Sequence, residues 1–163
     1  MIRRLYTLLL YVLLPLVLLR LLWRSVKAPD YRRRWSERFG IFAPPADWGG
    51  LWVHAVSVGE VQAILPLIRQ VLEQNPAMPI TVTTTTPTGS ARVREQLGDQ
   101  VFHVYLPYDL PPALTGFIRR VRPRALLMVE TEIWPNLLYL CRRHGIYTLL
   151  ANARLSEKSA RRY

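Results

Sequence analysis

Residues 51–60, LWVHAVSVGE, decide the fold, because a short apolar run passes here into a polar turn of the kind that starts a helix. The apolar runs that predict strands lie at residues 51–56, 80–85, 101–106, 125–129 and 147–151. The stretches that predict helices lie between and after them, at residues 61–74, 90–97, 111–121 and 135–143. Alternating strands and helices predict a Rossmann-like α/β fold, with a parallel sheet and helices on both faces.

The N-terminal segment, residues 1–23, is the most apolar part of the chain. It has no charged residue from Leu5 to Leu19, and the apolar run resumes after Arg20 and ends at Trp23. A helix from Leu5 to Trp23 would be about 28 Å long, close to the ~30 Å of a bilayer's hydrocarbon core. We therefore expect a membrane-anchor helix that spans the bilayer, and a helix lying in the membrane interface is the alternative.

The positive charge is concentrated beside this segment. The 163 residues carry a formal net charge of +11, and residues 24–50 form a basic, then turn-rich, juxtamembrane connector. The positive-inside rule places the rest of the chain in the cytoplasm, and the basic residues favour contact with anionic lipids of that membrane. A nucleic-acid-binding protein would more often spread its basic residues over a folded surface, so no nucleic-acid partner is predicted.

Three glutamates follow predicted strands, at the edge of the sheet where ligands bind in open α/β folds. Glu60 lies at a strand-to-helix turn, where an ionised carboxylate can take a proton from a hydroxyl nucleophile. An ordinary glutamate in the first turn of a helix is the alternative. Glu130 and Glu132 end another strand, and two nearby carboxylates can push their pKa values apart. Solvated charges, or an ion pair with Arg154, are the alternative for this pair.

Small residues are expected directly before two helices. Ser57 and Gly59 precede one helix, and Thr88, Gly89 and Ser90 precede another. Free backbone amides at such helix starts bind phosphate or other anions, whereas ordinary helix capping is the alternative. Neither loop continues into Gly-Lys-Ser/Thr, and no G-x-G-x-x-G is present, which argues against nucleotide-binding loops of those two kinds.

The histidines and the cysteine indicate packing rather than chemistry. His54 and His103 lie in predicted strands, and no histidine has a partner at metal-ligand spacing, so the sequence predicts no metal site. His54 is interpreted as a core residue and Cys141 as a packing residue. Pro135 is expected at the first position of a helix.

Five of these stretches, taken in order, resemble one family, the 3-deoxy-D-manno-octulosonic acid (Kdo) transferases of lipopolysaccharide assembly. They are residues 52–60 (WVHAVSVGE), 83–90 (TTTTPTGS), 105–109 (YLPYD), 130–136 (ETEIWPN) and 152–159 (NARLSEKS). The likeness extends over essentially the whole chain, including the N-terminal apolar segment and its basic flank.

The resemblance implies the N-terminal domain of a GT-B glycosyltransferase. It implies transfer of Kdo from CMP-Kdo to the tetraacylated lipid A precursor, with inversion, at the cytoplasmic face of the inner membrane. Glu60 would be the general base, and Glu130 would help to stabilise the transition state. The candidate acceptor- and anion-binding residues are Ser57, Gly59, Thr88, Gly89, Ser90 and Arg154.

The resemblance also sets expectations for what this chain does by itself. Residues 51–163 would form a truncated acceptor-binding domain, and the donor would bind to a second Rossmann-like domain, so the chain is expected to be inactive alone. No cofactor or metal ion is expected beside the donor substrate CMP-Kdo. Two alternatives stay open: another membrane-associated GT-B glycosyltransferase with a lipid-linked acceptor, and a non-enzymatic, membrane-tethered module that binds anions.

Overall fold

A computed structural model describes residues 2–27, 29–129 and 133–151 of the chain. Within this part lie five strands: β1 (Leu51–His54), β2 (Ile80–Thr84), β3 (Phe102–Tyr105), β4 (Ala125–Val129) and β5 (Tyr147–Ala151). The α-helices of the same part are α1 (Ile2–Lys27), α2 (Val58–Gln74), α3 (Pro87–Leu97), α4 (Pro111–Val121) and α5 (Pro135–Arg143). Short 3₁₀ turns occupy Pro29–Arg32, Trp35–Phe39 and Gly98–Gln100. Each strand and helix expected from the sequence is present.

The strands form one parallel sheet in the order β3-β2-β1-β4-β5. The chain therefore builds outward from β1 to one edge of the sheet, returns to the centre, and builds outward from β4 to the other edge. The strand order reverses between β1 and β4, and ligands of open α/β sheets bind beyond the carboxyl ends of the strands at such a point. The predicted Rossmann-like fold is confirmed.

Apolar side chains cover both faces of the sheet. On one face Trp52, Leu126 and Met128 pack against Phe117 of α4 and Leu137 of α5. On the other face, Val53, Val82 and Leu127 of the central strands form a second core cluster. Helices α2 and α3 cover this cluster with Val61, Ile64, Ile68 and Val93. Neighbouring residues of a strand alternate between the two clusters, because side chains point to opposite faces along a strand. Helices on both faces account for the nearly complete burial of β1, β2 and β4.

Helix α1 lies along the body of the protein rather than standing away from it. Its half-buried and buried residues are Arg3, Tyr6, Thr7, Leu10, Leu14, Leu18, Leu21 and Ser25. This spacing of three or four residues marks one face of a helix, and it runs from the first turn to the last. The opposite face is exposed and apolar, from Ile2 to Val26. By length and composition, Ile2–Val26 is the one helix of the described residues that could cross a membrane.

The predicted connector, residues 24–50, contains parts of the fold. Helix α1 continues to Lys27, four residues beyond the expected end of the apolar segment. The 3₁₀ turn Trp35–Phe39 and Gly40 pack against the sheet and α4: Glu37 accepts a hydrogen bond from the backbone N–H of Tyr105 at 2.9 Å. Gly40 has φ 73°, and a Cβ there would lie 2.1 Å from the carbonyl oxygen of Ala113. Only glycine fits this contact.

Candidate functional site

The candidate site lies at the carboxyl ends of the central strands, where the strand order reverses. The turn from β1 into α2, residues 55–60, follows the central strand at this edge. The β2–α3 turn lies beside it: the backbone N–H and hydroxyl of Thr85 and the hydroxyl of Thr86 all donate to the carbonyl oxygen of Val56. These bonds hold the two helix starts together. The parallel order of β1 and β2 thus brings two sequence-predicted loops to one place.

Glu60 occupies the third position of α2 and folds back over the helix start. One carboxylate oxygen accepts from the backbone N–H of Val56 at 2.6 Å, and the other accepts from the hydroxyl of Ser57 at 2.8 Å. The oxygen of Ser57 in turn accepts from the backbone N–H of Glu60 at 3.4 Å, which makes Ser57 the N-cap of α2. A carboxylate has about four lone-pair positions, so two remain for a substrate hydroxyl. Glu60 is half-buried at this edge.

The second helix start differs from the sequence prediction. We expected Thr88, Gly89 and Ser90 before the helix, but α3 begins at Pro87 and the three residues form its first turn. Thr86 is the N-cap and accepts from the backbone N–H of Gly89 at 3.2 Å. The signal for the earlier start is in the sequence, because Thr is a preferred N-cap and Pro a preferred first helical residue.

The small residues of both turns serve the local structure. Gly59 lies in the first turn of α2 rather than before it, because Ser57 already caps the helix. The hydroxyl of Ser90 is buried and accepts from Arg34 at 3.2 Å. Helix capping, the alternative interpretation of these residues, accounts for Ser57 and for the N–H of Gly89. Anion binding by these turns stays a prediction.

The remaining sequence-predicted site residues, Glu130, Glu132 and Arg154, lie outside the described residues. Strand β4, which precedes the glutamates, pairs with β1 in the sheet.

Arg34 supports the first turn of α3 through its bond to Ser90, and the sequence analysis missed this role. Its guanidinium forms an ion pair with Glu37 and donates to the carbonyl oxygen of His103 at 2.8 Å and to Nδ1 of the same histidine at 3.3 Å. Because arginine has only donors, Nδ1 of His103 carries the lone pair, and the proton is on Nε2, 3.1 Å from the hydroxyl of Thr84. Burial, with the charges of Arg34 and Arg94, lowers the pKa of His103 to about 3.

His54 is a core histidine, as predicted. It is 1% exposed, and its Nδ1 lies 3.2 Å from the carbonyl oxygen of Thr83, to which it donates. Burial lowers the pKa of His54 to about 4, and the hydrogen bond to Thr83 opposes the shift. The imidazole is therefore neutral at physiological pH.

The lowered pKa values of His54 and His103 predict that the protein loses stability in acid. Since the pKa of each is lower in the folded protein than in the unfolded chain, the unfolded chain takes up the protons, and stability falls as the pH falls below about 6.5. For His54 alone, lowering the pH from 7 to 5 should reduce the free energy of unfolding by about 2 kcal/mol, and His103 adds a loss in the same direction.

The measurement is denaturant unfolding of the detergent-solubilised protein at both pH values. His54→Asn and His103→Asn should each have a smaller dependence on pH than the wild type. His144→Asn serves as the control, because His144 is exposed. The same pH dependence in all four proteins would contradict the assignment.

Asp109, the last residue of the 105–109 motif, has a role at the start of α5. Its carboxylate accepts from the backbone N–H groups of Asn136 at 3.0 Å and Leu137 at 2.8 Å. The N-cap of α5, Trp134, makes no side-chain capping bond. Burial raises the pKa of Asp109, although the bonds from α5 and from Tyr6 oppose the shift. A predicted helix without a capping residue of its own was the available signal that the cap comes from elsewhere.

The same cluster joins α1 to the body. Arg3 donates to the side-chain oxygen of Asn136 at 3.0 Å and lies 3.7 Å above the ring of Tyr139. The hydroxyl of Tyr6 donates to the carboxylate of Asp109. The N-terminal end of α1 is thereby fixed beside the start of α5.

Other features of the described residues do not form a second site. Among them, no group of three or more His, Cys, Asp and Glu side chains is placed to hold a metal ion. Cys141 is buried in α5, as expected, and burial raises the pKa of its thiol to about 11. A cavity of about 590 Å³ lies at the amino ends of β1 and β4, the edge opposite to the one where parallel sheets bind ligands.

Comparisons with known proteins find relatives in the family that the five sequence motifs resemble. The chain is 48% identical to the 3-deoxy-D-manno-octulosonic acid transferase of Haemophilus influenzae over 162 residues, which cover 97% of this chain and 38% of that protein. It is 38% identical to the enzyme of the same name from Bordetella pertussis over 98% of this chain and 39% of the relative. It is 37% identical to the probable mitochondrial 3-deoxy-D-manno-octulosonic acid transferase of Arabidopsis thaliana over 98% of this chain and 36% of the relative.

The chain thus spans between a third and two fifths of the length of these relatives. The model of one family, described as 3-deoxy-D-manno-octulosonic-acid transferase (kdotransferase), matches residues 33–163. This range begins in the segment that packs on the sheet and includes every strand of the described part. The chain belongs to the 3-deoxy-D-manno-octulosonic-acid transferase family.

Proposed function

We propose that this chain supplies the acceptor side of an inverting glycosyltransferase that moves Kdo from CMP-Kdo to the tetraacylated lipid A precursor. The observation that carries the proposal is the position of Glu60 in a chain of this family. Its carboxylate lies at the carboxyl edge of the sheet, beside the reversal of strand order, where Val56 and Ser57 donate to it and the β2–α3 turn in turn holds Val56. Family membership supports Kdo transfer in lipopolysaccharide synthesis as the reaction.

In the proposed mechanism, Glu60 takes the proton of the acceptor hydroxyl. The oxygen attacks the anomeric carbon of Kdo from the face opposite to the nucleotide, the bond to CMP breaks, and CMP leaves with the bonding electrons. The configuration at the carbon is therefore inverted. The bonds from Val56 and Ser57 fix the direction of the carboxylate before the acceptor binds, which reduces the entropy lost in reaching the transition state.

The other proposed site residues stabilise the charge of the transition state or bind the negative charges of the acceptor. Glu130 would help to stabilise the transition state. Arg154 and the helix starts with Ser57, Gly59, Thr88, Gly89 and Ser90 would bind the anionic groups of the acceptor. No metal ion is used in this proposal, and CMP-Kdo is the only small molecule besides the acceptor.

The donor site is proposed to lie in the part of the relatives that this chain does not cover. The deciding experiment is transfer from CMP-Kdo to the lipid A precursor by the intact enzyme, with another lipid-linked acceptor as the comparison. Residues 1–163 alone should neither catalyse transfer nor bind CMP in calorimetry. Micromolar binding of CMP by residues 1–163 would show that the donor site is assigned to the wrong part, and failure of transfer would favour one of the two alternative functions.

We propose further that α1 lies in the plane of the membrane interface with the body on the cytoplasmic side. The contacts of α1 with the body run from Arg3 to Ser25, so a helix perpendicular to the membrane would have to give them up. The apolar face turned away from the body would enter the acyl-chain boundary. These contacts favour the interfacial alternative over the spanning helix that we expected from the sequence.

The side of the membrane reached by the first turn of α1 tests this arrangement. Arg4 is exposed there, its charge favours the aqueous side of the interface, and Cys141 is buried. Arg4→Cys should react with a membrane-impermeant maleimide in inverted membrane vesicles and not in whole cells, because both ends of the helix lie on the cytoplasmic side. Glu73→Cys, at an exposed position of α2, reports the side of the body. Labelling of Arg4→Cys from outside the cell would establish a spanning helix instead.

A further inference from the structure

A cavity of about 230 Å³ lies between α1 and the carboxyl ends of β2 and β3. Arg20 and Arg24 of α1 line one side, and Arg38 lines the other. Among the described residues, no acidic side chain lines the cavity. The cavity is therefore strongly cationic.

Arg38 is the buried member of this group. Its side chain is 6% exposed, its Nη2 donates to the carbonyl oxygen of Thr85 at 2.9 Å, and its guanidinium lies 4.4 Å from the ring of Tyr105. Nε of Arg38 is buried and has no hydrogen-bond partner in the described part of the chain. A buried guanidinium without a carboxylate partner is costly, because burial removes water from the charge. For the same reason burial lowers the pKa of Arg38.

The neighbouring acid does not neutralise Arg38. The carboxylate of Glu37 is engaged by Arg34 and by the backbone N–H of Tyr105. A second buried polar atom, the hydroxyl of Tyr108, also lacks a partner within the described residues. Tyr108 lines the same cavity, as do Thr85 and Thr86. Donors from three arginines and a tyrosine exceed what the two oxygens of a carboxylate accept, and they suit the oxygens of a phosphate.

The remaining wall of the cavity points to a lipid. Val17 and Leu21 of α1 line it, and Val17 also belongs to the exposed apolar face of the helix. A phosphate in the cavity would therefore be a short distance from the surface that we propose to enter the membrane. Lipid phosphates lie at this depth, between the acyl chains and the cytoplasm.

We propose that the cavity formed by Arg20, Arg24, Arg38 and Tyr108 is a binding site for the phosphate group of a membrane lipid. The geometry that carries the proposal is the buried Nε of Arg38 and the buried hydroxyl of Tyr108, both without partners in the described part of the chain, in a cavity that Arg20 and Arg24 of α1 also line. The site adjoins the start of α3, because Thr86, the N-cap that accepts from Gly89, also lines the cavity. It does not depend on the proposed transfer reaction, because the exposed phosphomonoester of an anionic lipid would meet the same donors whether or not that lipid accepts Kdo.

The test is calorimetric titration of the intact protein in dodecyl maltoside with phosphatidic acid, phosphatidylcholine or inorganic phosphate. Phosphatidic acid should bind and phosphatidylcholine should not, and inorganic phosphate should compete only weakly. Arg38→Gln should raise the Kd for phosphatidic acid by about tenfold to a hundredfold, and Tyr108→Phe by about threefold to tenfold. The double variant Arg20→Gln/Arg24→Gln should behave like Arg38→Gln. Arg69→Gln, an exposed arginine of α2, should bind like the wild type.

The outcomes separate the parts of the proposal. If Arg38→Gln does not fold, the affinities of Tyr108→Phe and of the double variant for phosphatidic acid test the site. Both variants should fold, because Tyr108→Phe removes only an unpartnered hydroxyl and the two α1 arginines are exposed. Binding of phosphatidic acid that is unchanged in these variants, or equal binding of phosphatidylcholine, would overturn the site. Inorganic phosphate binding as tightly as phosphatidic acid would support a phosphate site and overturn its lipid ligand. Because the measurement is binding, its result is independent of whether the enzyme transfers Kdo.

Discussion

Glu60→Gln is expected to slow single-turnover Kdo transfer by the intact enzyme by about 10² to 10⁴, with the protein still folded. Glutamine keeps the size of the side chain and one oxygen acceptor, but it cannot take the proton of the acceptor hydroxyl at neutral pH. The effect should therefore fall on the chemical step. The affinity for CMP should change little, since we propose that the donor binds elsewhere.

The hydrogen bonds of Glu60 allow a competing expectation. Its two oxygens accept from Val56 and Ser57, as a glutamate that only stabilises a helix start would do. In that case Glu60→Gln would reduce stability by about 1 kcal/mol and leave transfer nearly intact. Thermal unfolding and transfer measured on the same preparation separate the two roles.

Two variants of α2 serve as controls. Glu73→Gln removes the same charge from an exposed position at the other end of the helix. Val71→Ala removes part of the packing of α2 and should reduce stability by about 1 kcal/mol without touching the site. Near wild-type transfer by Glu60→Gln would eliminate it as the base. A loss of transfer no larger than that of Val71→Ala would assign Glu60 a structural role.

Asp109→Ala is expected to reduce the free energy of unfolding by about 3 to 5 kcal/mol. The carboxylate is 3% exposed and satisfies two backbone N–H groups at the start of α5. Removing it leaves both N–H groups buried without an acceptor, and each such group costs about 1 to 3 kcal/mol. Asp109→Asn should cost less, because the amide keeps one oxygen acceptor.

Asp99→Ala provides the matched control, since Asp99 is exposed in a 3₁₀ turn. The measurement is denaturant unfolding of the three variants in detergent. The loss of stability should extend to α1, because Tyr6 of this helix donates a hydrogen bond to Asp109 and Arg3 donates one to Asn136. Faster proteolysis of α1 in Asp109→Ala would report that effect. Equal stability of Asp109→Ala and Asp99→Ala would contradict the capping role.

The order of the strands and helices was predictable because it depends on local patterns. Residues 125–129 are apolar throughout, and residues 80–85 combine Ile80 and Val82 with β-branched threonines, and both compositions favour buried strands. The stretches between them have the spacing of helices, and Pro135 marks a helix start by its fixed φ. Both helix starts within the candidate site were expected three residues late, at 61 rather than Val58 and at 90 rather than Pro87, and the second error came from overlooking the Thr86-Pro87 cap.

The candidate site was predictable only in part. Parallel strands place their carboxyl ends at one edge, so the sequence could assign Glu60 and the β2–α3 turn to the same side of the sheet. The partners of Glu60 are three and four residues away, and such short-range bonds follow from the helix start itself. Arg34 and Arg38 were treated as part of a basic connector, since nothing in their local pattern separates a solvated arginine from a buried one.

The sequence by itself determined the α/β alternation, the apolar N-terminal helix and the turn with Ser57 and Glu60, because periodicity, charge and capping act over a few residues. The tertiary structure decided which distant groups meet. Arg34 contacts His103, which is 69 residues away in the sequence, and Arg3 contacts Asn136, which is 133 residues away. Asp109 accepts from the backbone of Asn136, 27 residues away, at the start of α5. These contacts depend on strand order and on the docking of α1, neither of which leaves a periodic signal. For that physical reason the cationic cavity and the position of α1 on the body emerge only from the folded chain.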